Sequence, residues 1–332
     1  MTASYAELPQ AAQLEVMGVV AAAAAPAFGL DESSLELVAH EFNTTYAATT
    51  ADGTRVALRI NTNSASTPAM VRAQQAWAQA IRRETSVLVP DPVPTLDGRW
   101  YVEATPPAGG RGFLVVAATW LDGSDVADGF DTAIARELGR TMATLHDHAA
   151  GWRPPSGAEL PVFDDPLFGD TDALTGTPLL SGSDAELVAA ALASTRNAYA
   201  SVCGSAPAIC VHADLHGYNL KWHDGRLAVF DFDDCGLAPP VVDLAVATFH
   251  LRGDDPSLET ALREGYAEVR SLPACPAETF EAILAARQLL LANSLASSST
   301  AAWRAEAEAY LRVTVHRLRS WRETGRFTLG RP

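Results

Sequence analysis

Two aspartates and an asparagine in the second half of the chain could together hold a divalent cation. Asp214 and Asn219 lie five positions apart in a polar stretch that we expect to form a loop. Asp231 follows at the end of an apolar run, after a turn at residues 223–225. Carboxylate and carboxamide oxygens are the ligands that Mg²⁺ prefers in proteins. If the two stretches form a hairpin, these groups converge on one cation and still leave one carboxylate to orient a hydroxyl nucleophile.

This set of groups suits the transfer of a phosphoryl group to a hydroxyl, because positioning and charge neutralisation supply most of the catalysis in that reaction. The same stretch also allows a metal-dependent hydrolase that binds zinc or a metal pair. Its ligands would be His212, Asp214, His216 and Asp231. Dimetal hydrolases need further histidines, but after residue 223 only His250 and His316 remain.

The composition narrows the choice of partners. The chain has 332 residues, with 24 Lys and Arg against 40 Asp and Glu, and its formal net charge is −16. Such an acidic chain does not attract nucleic acid or an anionic membrane surface, whereas a cationic or metal-bound ligand is favoured. We therefore expect the acceptor to carry positive charge. It would lie near five acids, Asp233, Asp234, Asp254, Asp255 and Glu259. The alternative is that these acids form only a solvated surface and that the net charge serves solubility.

Two features predict a cytoplasmic protein. The four cysteines are scattered and form no CxxC pair, which favours a reducing compartment over a disulfide framework. The apolar run at residues 16–26 is too short to span a bilayer, and no basic residue precedes it. We expect this run to form a buried or half-buried helix.

The elements that must position the polar groups differ between the two halves of the chain. Strands are expected at 35–42, 45–50, 55–60, 100–103 and 114–120. An Asp-Gly turn at 51–53 joins two of them, and a helix begins at Pro68 with Thr67 as its cap. The second half is predicted to be helical apart from residues 208–234. Its helices are expected after the cap Asp131 and at 183–200, 257–270, 277–298 and 301–322.

The polar stretches resemble the signature of the aminoglycoside phosphotransferase/choline kinase family. The resemblance rests on residues 212–219, which begin His-Ala-Asp and end in Asn, and on residues 230–234, Phe-Asp-Phe-Asp-Asp. Further segments that match in the same order are 43–46, 56–60, 138–146 and 239–245. The resemblance implies an α+β, protein-kinase-like fold of two lobes. A nucleotide-binding lobe would span residues 1–118, and a mainly helical catalytic and substrate-binding lobe residues 119–332.

The resemblance also implies a role for each residue, in a kinase that uses ATP and Mg²⁺. Asp214 would be the catalytic base, and His212 and Asp243 would brace its loop. The metal ligands would be Asn219, Asp231 and Asp233. The nucleotide contacts would be Asn43, Thr44, Thr45, Arg59, Ala118 and Trp120. Adenine would bind through backbone groups at the hinge, residues 118–120.

The chain departs from the family pattern at three positions. A lysine usually binds the α and β phosphates, but the one lysine here, Lys221, lies in the wrong half, and Arg59 stands at the matching position. Arginine stays charged and can contact phosphate through two nitrogens, so we expect Arg59 to take this role. Gln74, with Gln75 next to it, stands where a glutamate usually pairs with that base. Ala213 replaces the more usual glycine.

Two further alternatives share the fold. A protein kinase for serine and threonine would use the same catalytic groups, and the sequence shows no peptide-docking feature either way. A non-catalytic nucleotide-binding module would suit the missing lysine and Gln74. Because Asp214, Asn219 and Asp231 are retained together, the sequence favours an enzyme that phosphorylates a small molecule.

Overall fold

The computed structural model describes residues 4–106, 110–127, 129–253 and 255–330, and within them it contains eight α-helices and eleven strands. The helices are α1 (Gln10–Ala24), α2 (Pro68–Glu84), α3 (Thr132–Gly151), α4 (Gly182–Ser205), α5 (Val241–Leu251), α6 (Ser257–Val269), α7 (Ala277–Ser297) and α8 (Ala301–Thr324). The strands are β1 (Glu36–His40), β2 (Thr44–Thr49), β3 (Arg55–Ile60), β4 (Pro92–Val93), β5 (Val102–Ala104), β6 (Phe113–Thr119), β7 (Ser124–Asp125), β8 (Ile209–Val211), β9 (Leu220–His223), β10 (Arg226–Val229) and β11 (Gly236–Ala238).

A six-stranded antiparallel sheet forms the first part of the molecule. Its order is β1-β2-β3-β6-β4, and β5 also pairs with β6. The predicted turn between β2 and β3 is confirmed, because Gly53 has a φ of 86° and its N–H donates to the Thr50 carbonyl at 2.9 Å. In the sheet Arg59 lies opposite Thr45 on one side and Val116 on the other. Paired residues share a face, so Thr45 and Arg59 project in the same direction.

The N-terminal apolar run packs against this sheet. Met17 and Val20 of α1 are fully buried, together with Phe28 and the sheet residue Leu58, which confirms the expected buried helix. The helical segment Gln10–Phe28 is longer than the apolar run suggested, and it is long and apolar enough to cross a membrane by length and composition alone. In the structure 39% of its most apolar stretch is buried.

A second apolar core joins the helices of the chain from α2 onward. Trp77 and Ile81 of α2 are fully buried in this core, although α2 lies among the strands in the sequence. The predicted start of α2 is confirmed, since the Thr67 hydroxyl accepts the N–H of Met70 at 3.2 Å. Thus α2 links the sheet to the helical part of the molecule.

The polar segment forms the predicted hairpin. His223 of β9 pairs with Arg226 of β10, so the loop is Asp224-Gly225, and both loop residues have positive φ, 48° and 73°. This geometry is favoured in two-residue hairpin loops, because its twist matches that of the strands. The helix α5 that follows was not predicted. Nearly all its residues are buried, so its sequence lacks the periodic polar face that marks a helix.

Close packing of α3 against α6 depends on two glycines. A Cβ built on Gly265 would lie 1.9 Å from the Arg136 carbonyl oxygen, and one on Gly139 would lie 2.1 Å from that of Leu262. Neither backbone can yield without moving a helix. The two glycines therefore set the distance between α3 and α6.

We expect Gly265→Ala to lower the free energy of unfolding by about 1–3 kcal/mol, because the added methyl overpacks the helix crossing. The matched control is Gly204→Ala in α4, where a Cβ meets no atom within 4 Å. The control should be neutral or gain up to about 1 kcal/mol from helix propensity. Urea unfolding measures both, and equal stability of the two variants would contradict this account of the packing.

Candidate active site

A buried carboxylate holds the loop that carries Asp214. Asp243, on α5, accepts the backbone N–H groups of His212 at 3.0 Å and Ala213 at 2.6 Å. It also accepts Nε2–H of His146 at 3.0 Å. Burial raises the pKa of Asp243, but the hydrogen bond and charge of His146 outweigh it and hold the pKa below its usual value. An ionised carboxylate that spans two successive N–H groups supplies the bracing expected of Asp243.

The backbone of this loop is unusual at Ala213, whose φ of 66° lies in the left-handed region. A residue with a Cβ pays about 1–2 kcal/mol for this conformation, which explains why glycine is more usual here. His212 supports the loop from its other side. Its Nδ1 accepts the N–H of Asp214 at 3.3 Å, and its Nε2 donates to the Phe230 carbonyl at 3.0 Å. His212 thereby ties the loop to the residue before Asp231.

Asp214 is enclosed by three donors. Its Oδ2 accepts from Asn219 Nδ2 at 2.8 Å and from His216 Nε2 at 3.1 Å, and its Oδ1 accepts from Arg287. Asn219 also donates to the backbone carbonyl of Asp214 at 2.9 Å, so two of the predicted residues are joined directly. Burial raises the pKa of Asp214, but Arg287 and then His216 outweigh it and hold the pKa well below its usual range. The carboxylate is therefore ionised at neutral pH.

Arg287 was not predicted as a site residue. It lies on α7 in the middle of the apolar run 283–291, and its side chain is only 7% exposed. A lone charge in such a run signals a buried group that needs a partner, which is how the sequence could have identified it. His250 of α5 lies beside it, with Nε2 3.5 Å from the guanidinium and its ring 4.5 Å from that of His216. Burial, and then the charges of Arg287 and His216, hold the pKa of His250 well below its usual value.

Arg59 reaches from the sheet to the acids after β10. Its NH1 donates to Asp231 and its NH2 donates to Asp233 at 2.7 Å. Asp231 has a φ of 69°, so the chain turns sharply where β10 ends. Burial raises the pKa of Asp231, but the charge of Arg59 outweighs it, and the pKa lies below its usual value. Arg59, which the sequence matches to the phosphate-binding position, thus contacts two of the predicted metal ligands.

Burial alters the charge of the two acids that follow. It raises the pKa of Asp233 well above its usual value. The charge of Arg59 opposes this rise, whereas the charge of Asp231 adds to it. Burial, followed by the charges of Asp214 and Asp231, raises the pKa of Asp234 to about 7. These two acids therefore carry less negative charge than the sequence suggests.

Two amide side chains fix Asp233 in place. Asn43 donates to its Oδ2 at 2.9 Å, while the Asn43 side-chain oxygen accepts the Thr62 N–H at 2.8 Å. Gln74 donates to the Asp233 backbone carbonyl at 2.7 Å. Within the part of the chain that the structure describes, the ion-pair partners of Arg59 are Asp231 and Asp233. Gln74 thus supports the site through the backbone and does not replace the helix glutamate as a partner of Arg59.

The two predicted threonines lie on opposite faces of β2. Thr44 is fully buried, and its hydroxyl is 2.8 Å from that of Thr62 and 2.8 Å from Nδ1 of His40. Thr45 is half-buried and shares the face of Arg59. The structure therefore brings Thr45 to the site and leaves the side chain of Thr44 in the sheet.

The predicted hinge is the end of β6. Ala118 lies opposite Ala57 in the sheet, and the N–H groups of Thr119 and Trp120 donate to backbone carbonyls at 2.8 Å and 3.0 Å. Those two donors are occupied, so adenine would have to bind other backbone groups of this segment. A cavity of about 220 Å³ borders the hinge. Its lining includes Thr119, Trp120, Leu121, His223 and Ala228.

The hydrolase interpretation is not supported by the histidines. Both ring nitrogens of His212 bind backbone groups, so this residue is no metal ligand. Asp214, His216 and His250 do place ligand atoms within 4.8 Å of one another. However, Nδ1 of His216 accepts the Tyr218 N–H at 3.3 Å, so Nε2 carries the hydrogen that it donates to Asp214. Two members of the cluster, Asp214 and His216, are thus joined by a hydrogen bond, while His250 contacts Arg287.

Two of the acids expected around a cationic acceptor, Glu259 and Asp255, have partners within the protein. Glu259 is buried, and Arg252 binds both its oxygens at 2.8 Å and also binds Glu281 at 2.6 Å. Asp255 accepts from the first residue of α6, and Asp254 lies outside the described residues. The expectation for Glu259 was wrong, because a buried guanidinium takes up its charge.

Comparison with known proteins supports the family resemblance found in the sequence. Residues 35–279 match the model of the phosphotransferase enzyme family. Amicoumacin kinase of Bacillus subtilis (strain 168) is 24% identical over 175 residues, which cover 50% of this chain and 48% of that protein. The match thus spans about half the length of this relative.

Two solved structures share the fold over nearly the whole chain. One is a microcompartment-associated aminopropanol kinase, with a TM-score of 0.76 and 23% identity over 94% of this chain and 99% of the other. The second is the amicoumacin kinase hAmiN in complex with AMP-PNP, Ca²⁺ and Ami, with a TM-score of 0.70 and 17% identity over 93% and 94%.

These likenesses confirm the predicted α+β, protein-kinase-like fold, with its antiparallel sheet followed by a helical part. The family match includes Arg59, Asp214 and Asp231 and the elements that bring them together. The family resemblance seen at residues 212–219 and 230–234 is likewise confirmed. The chain belongs to the phosphotransferase enzyme family.

Proposed function

We propose that this kinase transfers the γ-phosphoryl group of ATP to a hydroxyl of a small molecule, with Mg²⁺ bound and with Asp214 as the catalytic base. The observation that carries the proposal is the position of Asp214 between two sets of groups. Asn219, a predicted metal ligand, donates to one of its oxygens, and Arg287 contacts the other. An ionised carboxylate held in this way can accept the hydrogen bond of an incoming hydroxyl.

In the proposed step the acceptor oxygen bonds to the γ phosphorus while the bond from that phosphorus to the β–γ bridging oxygen breaks. ADP leaves, and the hydroxyl proton passes to Asp214. The transferring group is highly charged and needs little covalent assistance. The protein therefore contributes mainly position and positive charge.

The donor set fits Mg²⁺. Asn219 uses its amide nitrogen on Asp214, which leaves its side-chain oxygen for a cation. The lowered pKa of Asp231 keeps the second ligand ionised. Mg²⁺ supplies neutralisation of the phosphate charge when it is bound. The hAmiN complex contains AMP-PNP and Ca²⁺, another cation that prefers oxygen ligands, which supports this reading.

Arg59 and Thr45 share the face of the sheet that turns toward Asp231, so we place the phosphates there. Asp233, the third proposed metal ligand, accepts from both Arg59 and Asn43. The adenine is placed at the cavity beside residues 118–120. The boundary between the two lobes is proposed at this hinge, with residues 1–118 on one side and 119–332 on the other.

The acceptor is proposed to be a small hydroxyl compound in the cytoplasm. The similar structures are named for aminopropanol and amicoumacin, which supports a small acceptor. A positively charged acceptor is favoured by the net charge of −16. Asp233 and Asp234 lie near the site, but their raised pKa values reduce the negative charge that they contribute. Any positive group on it would have to lie away from Arg287.

We expect Asp214→Asn to lower kcat by about 100-fold to 10,000-fold, because the variant cannot take the hydroxyl proton. The Kd for ATP with Mg²⁺ should change little, since the contact develops in the transition state. Asp224→Asn, in the exposed hairpin turn, is the matched control and should keep wild-type kcat. Steady-state kinetics and calorimetric titration separate the two effects. Unchanged turnover by Asp214→Asn would remove Asp214 from the chemistry.

Arg59→Ala should raise the KM for ATP by about 10-fold to 100-fold, because a charge-assisted contact to phosphate is lost. The KM for the acceptor should change far less. Arg59→Lys should recover part of the loss, since a point charge remains. Arg99→Ala, an exposed arginine paired with Asp97, is the control. Unaltered ATP kinetics in Arg59→Ala would show that the register of β3 has been misassigned.

A further inference from the structure

Arg287 is nine-tenths buried yet uses little of its hydrogen-bonding capacity. Its NH2 group contacts Asp214 and His250. Among the described residues its buried Nε has no hydrogen-bond partner, and its hydrogen bonds to Asp214 and His250 are both made through NH2. A guanidinium has five N–H donors, and buried donors that stay unpaired are costly.

The other buried arginine of the helical part shows what a purely structural guanidinium looks like in this fold. Arg252 donates through Nε and NH2 to both oxygens of Glu259, and through NH1 to Glu281 and the Phe327 carbonyl. All three of its nitrogens are engaged. Arg287 instead resembles Arg59, for which we propose a ligand-binding role, because in both residues Nε is buried and has no hydrogen-bond partner among the described residues.

Arg287 and the predicted metal ligand Asn219 contact different oxygens of Asp214. Asn219 donates to Oδ2, whereas Arg287 donates to Oδ1. With the metal and the phosphates proposed beside Asn219, the acceptor is proposed beside Oδ1, next to Arg287. Asp214 keeps 16% of its side chain exposed, which leaves it within reach of a small molecule.

We propose that Arg287 determines acceptor specificity by binding a carboxylate that the acceptor carries close to the hydroxyl it presents to Asp214. This inference rests on the proposed function. A guanidinium matches the planar geometry of a carboxylate and binds it through two parallel N–H groups. The ligand would satisfy the donors of Arg287 that the protein leaves unpaired. An amine elsewhere on the same acceptor is compatible with the acidic chain, so the acceptor class is a hydroxy acid or a hydroxy amino acid.

The test uses acceptor pairs that differ by one carboxylate. Threonine is 1-amino-2-propanol with a carboxylate added, and serine is ethanolamine with a carboxylate added. Both pairs are measured within a wider screen of hydroxylated metabolites and antibiotics, and the best acceptor found is then compared with its own decarboxylated or amidated analogue. The readout is the ratio of kcat/KM for the carboxylated member to that for its analogue.

The wild-type enzyme should prefer the carboxylated member. Arg287→Gln should lower the ratio by about 10-fold to 100-fold, the equivalent of one or two charge-assisted hydrogen bonds. Any general loss from leaving Asp214 without its partner applies to both members and cancels in the ratio. Arg287→Lys should retain part of the preference, because it keeps the charge but loses the paired geometry. The control Arg319→Gln, an exposed arginine on α8, should keep the wild-type ratio.

Two results would overturn the proposal. One is a best acceptor that lacks a carboxylate, and the other is a ratio that Arg287→Gln leaves unchanged. In both cases phosphoryl transfer is still observed, so the proposed function stands and only the specificity assignment fails. If no compound is phosphorylated and calorimetric titration shows no binding of ATP with Mg²⁺, the proposed function fails, and this inference with it.

Discussion

The site depends on balancing several buried carboxylates with two arginines. Arg59 comes from the sheet and Arg287 from a helix near the other end of the chain. They pair with Asp231 and Asp214, whose pKa values are lowered. A buried acid that loses its partner costs about 3–5 kcal/mol, so neither arginine is replaceable without consequence. Because Arg59 belongs to the sheet and Asp231 to the helical part, the same ion pair that balances the charge also joins the two parts.

The backbone of the loop that carries Asp214 is held by a different interaction. Asp243 gathers the N–H groups of His212 and Ala213 and thereby fixes the left-handed backbone that directs Asp214. Conformational cost at Ala213 is offset by hydrogen bonds that exist only in this arrangement. The acid on α5 thus holds the backbone of the loop that carries Asp214.

Local chemistry explains what the sequence could predict. The Asp-Gly turns and the Thr67 cap are formed by neighbouring residues, so the sequence shows them directly. Asp214, Asn219 and Asp231 also lie close together along the chain, so their spacing could be recognised. Arg287 meets Asp214 across 73 positions, and no local pattern marks that contact apart from a charge in an apolar run. Glu259 was misjudged for the same reason. The burial of Glu259 could not be predicted without knowing that Arg252 is buried beside it. The helix α5 was missed because it is almost wholly apolar and has no polar face.

A crystal structure with AMP-PNP and Mg²⁺ tests the central claim most directly. The account predicts the metal ion on Asn219 and Asp231, the phosphates in contact with Arg59, and the Asp214 carboxylate facing the terminal phosphoryl group without binding the metal. A metal ion held by Asp214, His216 and His250, or a nucleotide bound away from the end of β6, would contradict it.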